Sequence, residues 1–233
     1  MPNWCYTNIK FYSKNPNQLM ALFKRFNRGS ENNSLYDLMK SFYPNETNAF
    51  DARGCIISSD DEVNRLKNKD GVSISYFGID TETAWSPKIG IFQKILQDFY
   101  PDIELAYLAN EDGCGVALKY DNNNLFFDAN YHLNANFPYY EEIDWCPDKI
   151  DFSSIDELLN YLRTELPLLH LNNINPTTEC NEIEEQILRA YEKYIDYESS
   201  ADDEDIQVYK DDAFIYINEY EEKSPEDYSV FKY

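Results

Sequence analysis

The chain has 233 residues, 43% of them apolar, with 20 tyrosines and 14 phenylalanines, enough for one large or two small packed domains. Its 43 acids against 20 bases give a formal net charge of −23, which argues against a phosphate-binding or anionic-membrane surface and leaves basic partners or plain solubility. Five scattered cysteines without a Cys-x-x-Cys pair argue against a zinc site or a secreted disulfide framework; with no leader before "MPNW" and no apolar run of membrane length, the expectation is a reducing cytoplasm, no cofactor and no membrane contact.

Residues 4–12, "WCYTNIKFY", alternate with period two. Cys5, Thr7, Ile9 and Phe11 share one face, and Trp4, Tyr6, Asn8, Lys10 and Tyr12 the other. Leu19, Leu22, Phe23 and Phe26 then recur at helical spacing, predicting a helix that starts near Pro16. "SLYDLMKSF" repeats that spacing until Pro44. In "SDDEVNRLKNK", Ser59 and Glu62 match a capping box and predict a short helix. "GVSISYFGID" reads as the second strand. In "TETAWSPKIGIFQKILQDFYPD", Ser86 is placed as the N-cap and Pro87 as the first helical residue.

Three further strands are predicted in "DIELAYLAN", "GVALKYD" and "NLFFDANY", separated by the turn signals "EDGCG" and "DNNN". This order predicts an α+β fold, a ferredoxin-like antiparallel sheet with helices on one face, over residues 1–142. Residues 143–233 read as an acidic, mainly helical extension packed on that domain. There, Ser154 and Glu157 form a capping box ahead of Ile155, Leu158, Leu159 and Leu162, and a second helix carries Ile183, Ile187, Leu188, Tyr191 and Ile195. The extension has 24 acids and 7 bases, against 19 and 13 in residues 1–142.

"MPNWC" with Asn8, and "TAWSP" ahead of the second sheet-packing helix, resemble the YubB-like ferredoxin-like domain family; "FYPDIELAYLANEDGCGVAL" resembles that family's helix–strand–turn–strand pattern. The chain differs from the family pattern at Lys88, where a second proline is common, and in "NAFDARGCIISSDDE". The resemblance covers roughly residues 1–135, the scale of one small domain. It implies the fold and a phage, plasmid or other mobile-element setting, and no catalytic mechanism.

Four candidate sites follow. Trp4, Tyr6, Tyr12, Tyr76 and Tyr107 could share an aromatic sheet face, either a ligand- or peptide-binding platform or a second core under the C-terminal segment. Trp4, Asn8, Trp85 and Ser86 form a structural motif or small pocket, with Asn8 expected to bond the "TAWSP" turn. His132 with Cys5, Cys114 or Cys146 would be the raw material of a Cys/His hydrolase, but no nucleophile motif, metal pair or phosphate loop accompanies them. The acidic surface is the sharpest candidate. Glu182, Glu185 and Glu192 lie on one helical stripe with Arg189, and Asp196, Glu198, Asp202, Asp203, Glu204 and Asp205 extend it. The expectation is a non-enzymatic interaction protein that binds a basic partner, such as a host nuclease or other DNA-binding protein, as a possible DNA mimic and defence inhibitor, without binding nucleic acid itself.

Overall fold

The computed structural model describes residues 3–28, 33–45, 50–111, 115–140, 143–198 and 205–229. They form an α+β molecule of two units, residues 1–127 with 221–233, and residues 128–220.

In unit 1, β1 (Trp4–Ser13) buries its odd-numbered residues Cys5, Thr7, Ile9 and Phe11, as the alternation predicts. The chain continues through α1 (Pro16–Arg28), α2 (Leu35–Phe42), β2 (Gly54–Ser59), β3 (Asn64–Lys67), β4 (Ser73–Ala84), α3 (Ile89–Phe99), β5 (Glu104–Glu111) and β6 (Val116–Tyr120). β1 is central, antiparallel to β4 and β5; β2 and β3 both pair with β4, and β6 pairs with β5. All three helices supply residues to one core with the odd face of β1. Phe11, Phe26, Phe77 and Phe92 meet there, with ring centroids 5.1 Å apart for Phe11–Phe77 and 6.2 Å for Phe26–Phe92. Contacts of this kind add about 0.5–1.5 kcal/mol per pair to the burial itself.

Three local expectations are corrected here. The short helix expected in residues 59–69 is instead β3 and its turn. Asn68 Oδ1 accepts from the amides of Asp70 and Val72, Gly71 adopts φ 76°, and the hairpin pairs Asn64–Lys67 with β4. That register outweighs the Ser59–Glu62 box. Ser86 does not cap α3: the N-cap is Lys88, without a side-chain bond, and the Ser86 carbonyl accepts from Thr83 Oγ1 at 2.9 Å. In the run "NLFFDANY" residues 124–130 are not a strand, and extended pairing begins only at Tyr131. Asp121 Oδ2 accepts from the amides of Phe126 at 2.6 Å and Phe127 at 3.0 Å, which turns the chain back. Leu125, Phe126 and Phe127 then pack against Tyr12, Ile74 and Tyr76 on the other sheet face.

β2 has no counterpart among the strands expected from the sequence. Gly54, at φ 151°, lies so close to the Glu82 carbonyl and Thr83 that a Cβ would collide with β4 backbone. Only glycine fits that approach.

In unit 2, β7 (Tyr131–Tyr140) is flanked by β8 (Ile143–Trp145), β9 (Asp151–Phe152) and β10 (Phe214–Glu219), all antiparallel to it. α4 (Ile155–Glu165), α5 (Cys180–Glu198) and α6 (Asp205–Asp212) complete the unit. Leu133, Ala135 and Phe137 of β7, Leu158, Leu159 and Leu162 of α4, and Ile183, Ile187, Tyr191 and Ile195 of α5 belong to its separate core. The α4 box forms by half. Ser154 Oγ accepts from the Glu157 amide at 3.2 Å, while the Glu157 carboxylate accepts from Ser153 rather than Ser154. The boundary expected after residue 142 falls within the β7–β8 pair, because Tyr140 and Ile143 are register partners. The stretch 143–233 also holds strands as well as helices.

The chain then returns to unit 1. β11 (Glu221–Glu222) lies parallel to β6, and Tyr107 Oη donates to the Lys223 carbonyl at 2.7 Å. Tyr107 and Tyr228 join hydroxyl to hydroxyl at 2.8 Å. Burial pushes the Tyr107 phenol above its ordinary range, and Tyr228 up to about 12. Unit 2 is therefore an insertion between β6 and β11. Its entry and exit are neighbours: the Tyr220 amide donates to the Asn130 carbonyl at 2.8 Å.

Candidate functional site

The acidic stripe forms on α5 because Ile183, Ile187, Tyr191 and Ile195 bury the opposite face at four-residue spacing. Glu182, Glu185, Glu192 and Asp196 are exposed along it. Cations interrupt the row: Arg189 pairs with Glu185 at 3.0 Å, and Lys210 of α6 with Asp196 at 2.5 Å. Glu184 lies off the stripe, half-buried, and accepts from the Ile217 amide at 2.6 Å. Burial raises its carboxyl above the usual range, and that amide opposes the shift. Glu198 ends α5 and Asp205 begins α6, but their side chains, like Asp202, Asp203 and Glu204 entirely, lie outside what is described.

The motif residues do not converge on one another. Trp4 stands opposite Ala84, and Trp85 follows in the turn at φ 70°, its amide donating to the Asn3 carbonyl at 2.9 Å. A left-handed backbone at a residue other than glycine costs roughly 1–2 kcal/mol. Asn8 does not bond the turn. It stands opposite Asp80 and donates to its Oδ1 at 2.5 Å, while Ser58 bonds the other carboxylate oxygen.

The aromatic face is divided. Trp4 and Tyr6 are 44% and 48% exposed, whereas Tyr12 is buried beneath Phe126, with Tyr76 against the same ring. Tyr12 Oη donates to Glu104 and accepts from Asn123, and burial drives its phenol upward. Tyr107 belongs to the opposite face, since it stands opposite Ile9 in the β1–β5 register. The cover expected from the C-terminal segment comes instead from residues 125–127.

His132 is 2% exposed. Its Nδ1 lies 3.0 Å from Asp151 Oδ1, and Tyr220 Oη donates to the same carboxylate oxygen at 2.7 Å. Cys146 Sγ lies 3.4 Å from Asn136 Oδ1, four residues along β7 from His132, a strand distance of about 13 Å. Cys5 is buried in the unit 1 core, and Cys114 lies outside the described residues. The His132 cluster therefore binds β7, β9 and the residue after β10 together.

One feature has no counterpart among the sequence candidates. A cleft of about 720 Å³ lies between residues 168–174 and the later turns of α5. Two 3-10 turns, Pro167–Leu169 and Leu171–Asn173, form its first wall and are joined by His170 at φ 52°. Arg163 fastens that wall, donating from Nε to the Leu171 carbonyl at 3.3 Å and from Nη2 to the Ile174 carbonyl at 2.9 Å. The Leu168 amide donates to Tyr140 Oη at 3.1 Å. "LPLLHLNNI" mixes leucines with one proline, one histidine and two asparagines, a signal that marks a turn but not a cavity.

Among the described residues, no group of three or more His, Cys, Asp or Glu side chains is placed to hold a metal ion, and no helix is long and apolar enough to cross a membrane. Comparison of the chain with protein-family models, curated proteins and solved structures gave no match.

Proposed function

We propose that the chain is a non-enzymatic interaction protein whose unit 2 docks on a basic protein partner through its exposed carboxylates. The carrying observation is charge segregation: residues 128–220 hold 23 acids and 5 bases, and the α5 carboxylates Glu182 and Glu192 face solvent. A field of that sign accelerates encounter with a cationic surface and weakens as salt screens it over about 10 Å at 0.1 M. Duplex mimicry would need an unbroken carboxylate row; Arg189 and Lys210 within the row favour ordinary charge-steered docking.

The strand order β5–β1–β4–β2, with the sheet-packing helices α1 and α3, supports reading unit 1 as a ferredoxin-like domain. Together with "MPNWC" and "TAWSP", it also supports the YubB-like resemblance. In the mobile-element setting that resemblance implies, a host nuclease or other DNA-binding protein is the partner class.

The test is affinity capture from host lysate at low salt and at about 0.5 M salt, where the screening length is only a few ångströms. The wild-type chain is compared with a Glu182→Gln, Glu185→Gln, Glu192→Gln, Asp196→Asn variant. A basic protein retained by the wild type at low salt, and lost both in the variant and at high salt, is the expected result. Equal capture by the two chains would remove the α5 surface from the reading.

A further inference from the structure

Unit 2 has only five lysines and arginines; two of them line the cleft on α5 and a third braces its wall. Arg163 holds the wall in place through two backbone carbonyls. Arg189 and Lys193 line the opening, one helical turn apart and so about 5–6 Å from each other, and His170 lies across from them. Among the described residues no carboxylate lines the cleft, although the unit's sequence carries 23 of them. Glu185 reaches Arg189 from outside the lining, in an exposed pair of the kind that is worth at most about 1 kcal/mol. Lys193 has no ion pair among the described residues.

Behind the cations the surface is apolar. Leu169, Leu171 and Ile174 are buried in the unit 2 core, and the Tyr194 ring lies tilted against Tyr140 with centroids 5.2 Å apart. Tyr197, 86% exposed, stands one turn beyond Lys193 at the rim. The volume lies within the range of small-molecule sites, about 300–1,000 Å³, and the lining has their usual make-up of apolar walls with a few polar groups.

We infer that this cleft binds a small amphipathic anion, a molecule with a carboxylate or phosphate head and an apolar body. Its head is held between Arg189 and Lys193, and its body lies along Leu169, Leu171 and Tyr194. The site's cations stand within the acidic row of the same helix and reverse its charge locally. The cleft separates anions from cations by charge, and polar from apolar anions by the wall behind.

The experiment titrates the full-length chain, by amide NMR, with dodecanoate, dodecyl phosphate and dodecyltrimethylammonium, each below its micellar concentration. Dodecanoate or dodecyl phosphate should saturably shift residues 168–174 and 186–197, and the tighter of the two identifies the head. The ammonium amphiphile should bind at least about tenfold more weakly, the scale of one charge-assisted hydrogen bond. Arg189→Glu and Lys193→Glu should each weaken the anion by about tenfold on the same grounds. Ala190→Trp, which fills the cleft from a half-buried helical position, should abolish binding, and Glu192→Gln should not weaken it. Equal affinity for anion and cation, shifts centred elsewhere, or undiminished binding by Ala190→Trp would each overturn the inference.

Discussion

At the residue scale, the clearest electrostatic consequence lies at Glu157. The Lys149 ammonium, 2.5 Å away, then the Ser153 hydroxyl and amide, hold its carboxyl down from an ordinary 4.5 to about 2. Because the folded chain keeps this carboxylate ionised to lower pH than the unfolded chain does, its contribution is complete above about pH 4.5 and is lost as pH falls towards 2. A carboxyl-carbon NMR titration should place the Glu157 midpoint near 2, and Lys149→Met should return it most of the way to the ordinary range. A wild-type midpoint at the ordinary value would remove Lys149 and Ser153 as its partners. The capping box made this residue visible in the sequence, but not its role. Glu157 reaches Ser153 and Lys149, neither of which the Ser-x-x-Glu spacing names.

At the scale of elements, one carboxylate decides how half of a sheet face is covered. Asp121 gathers the amides of Phe126 and Phe127, and the aromatic segment folds onto Tyr12 and Tyr76. Asp121→Ala should leave both amides unpaired, cost about 1–3 kcal/mol, and raise hydrogen exchange across residues 122–127. Unchanged protection there would show that packing alone holds the segment. The same residues explain what the sequence made legible. β1, α1, α3 and β5 each carry one unmixed period, so local spacing was enough. "NLFFDANY" has a strand's composition, yet a side chain five residues upstream of Phe126 takes its amide. β3 lost to a capping-box reading because the Asp70–Gly71 turn and its partner β4 act from downstream. Tyr107 is a candidate for the aromatic face in the sequence because alternation within β5 gives two faces, and only the register with Ile9 says which meets the helices. The cleft on α5 was invisible for a related reason: Arg163 and residues 168–174 meet α5 through tertiary packing.

For the whole molecule, the decisive feature is an inserted unit with its own core and adjacent entry and exit strands. Residues 128–220 should therefore fold alone, with a dispersed amide spectrum and a cooperative thermal transition. A fragment without either would mean that its core depends on the rest of the chain. Unit 1 has no such independence, because β11 and Tyr228 arrive only after unit 2 has been made. On a ribosome adding about 5–20 residues per second, the roughly 100 residues between β6 and β11 delay that last strand by about 5–20 s. Until then the outer edge of β6 is an unpaired template, and the Tyr107 phenol lacks its acceptor. The nascent chain thus passes through an interval in which Leu118 and Lys119 of β6 offer an uncovered strand edge to any neighbouring nascent chain.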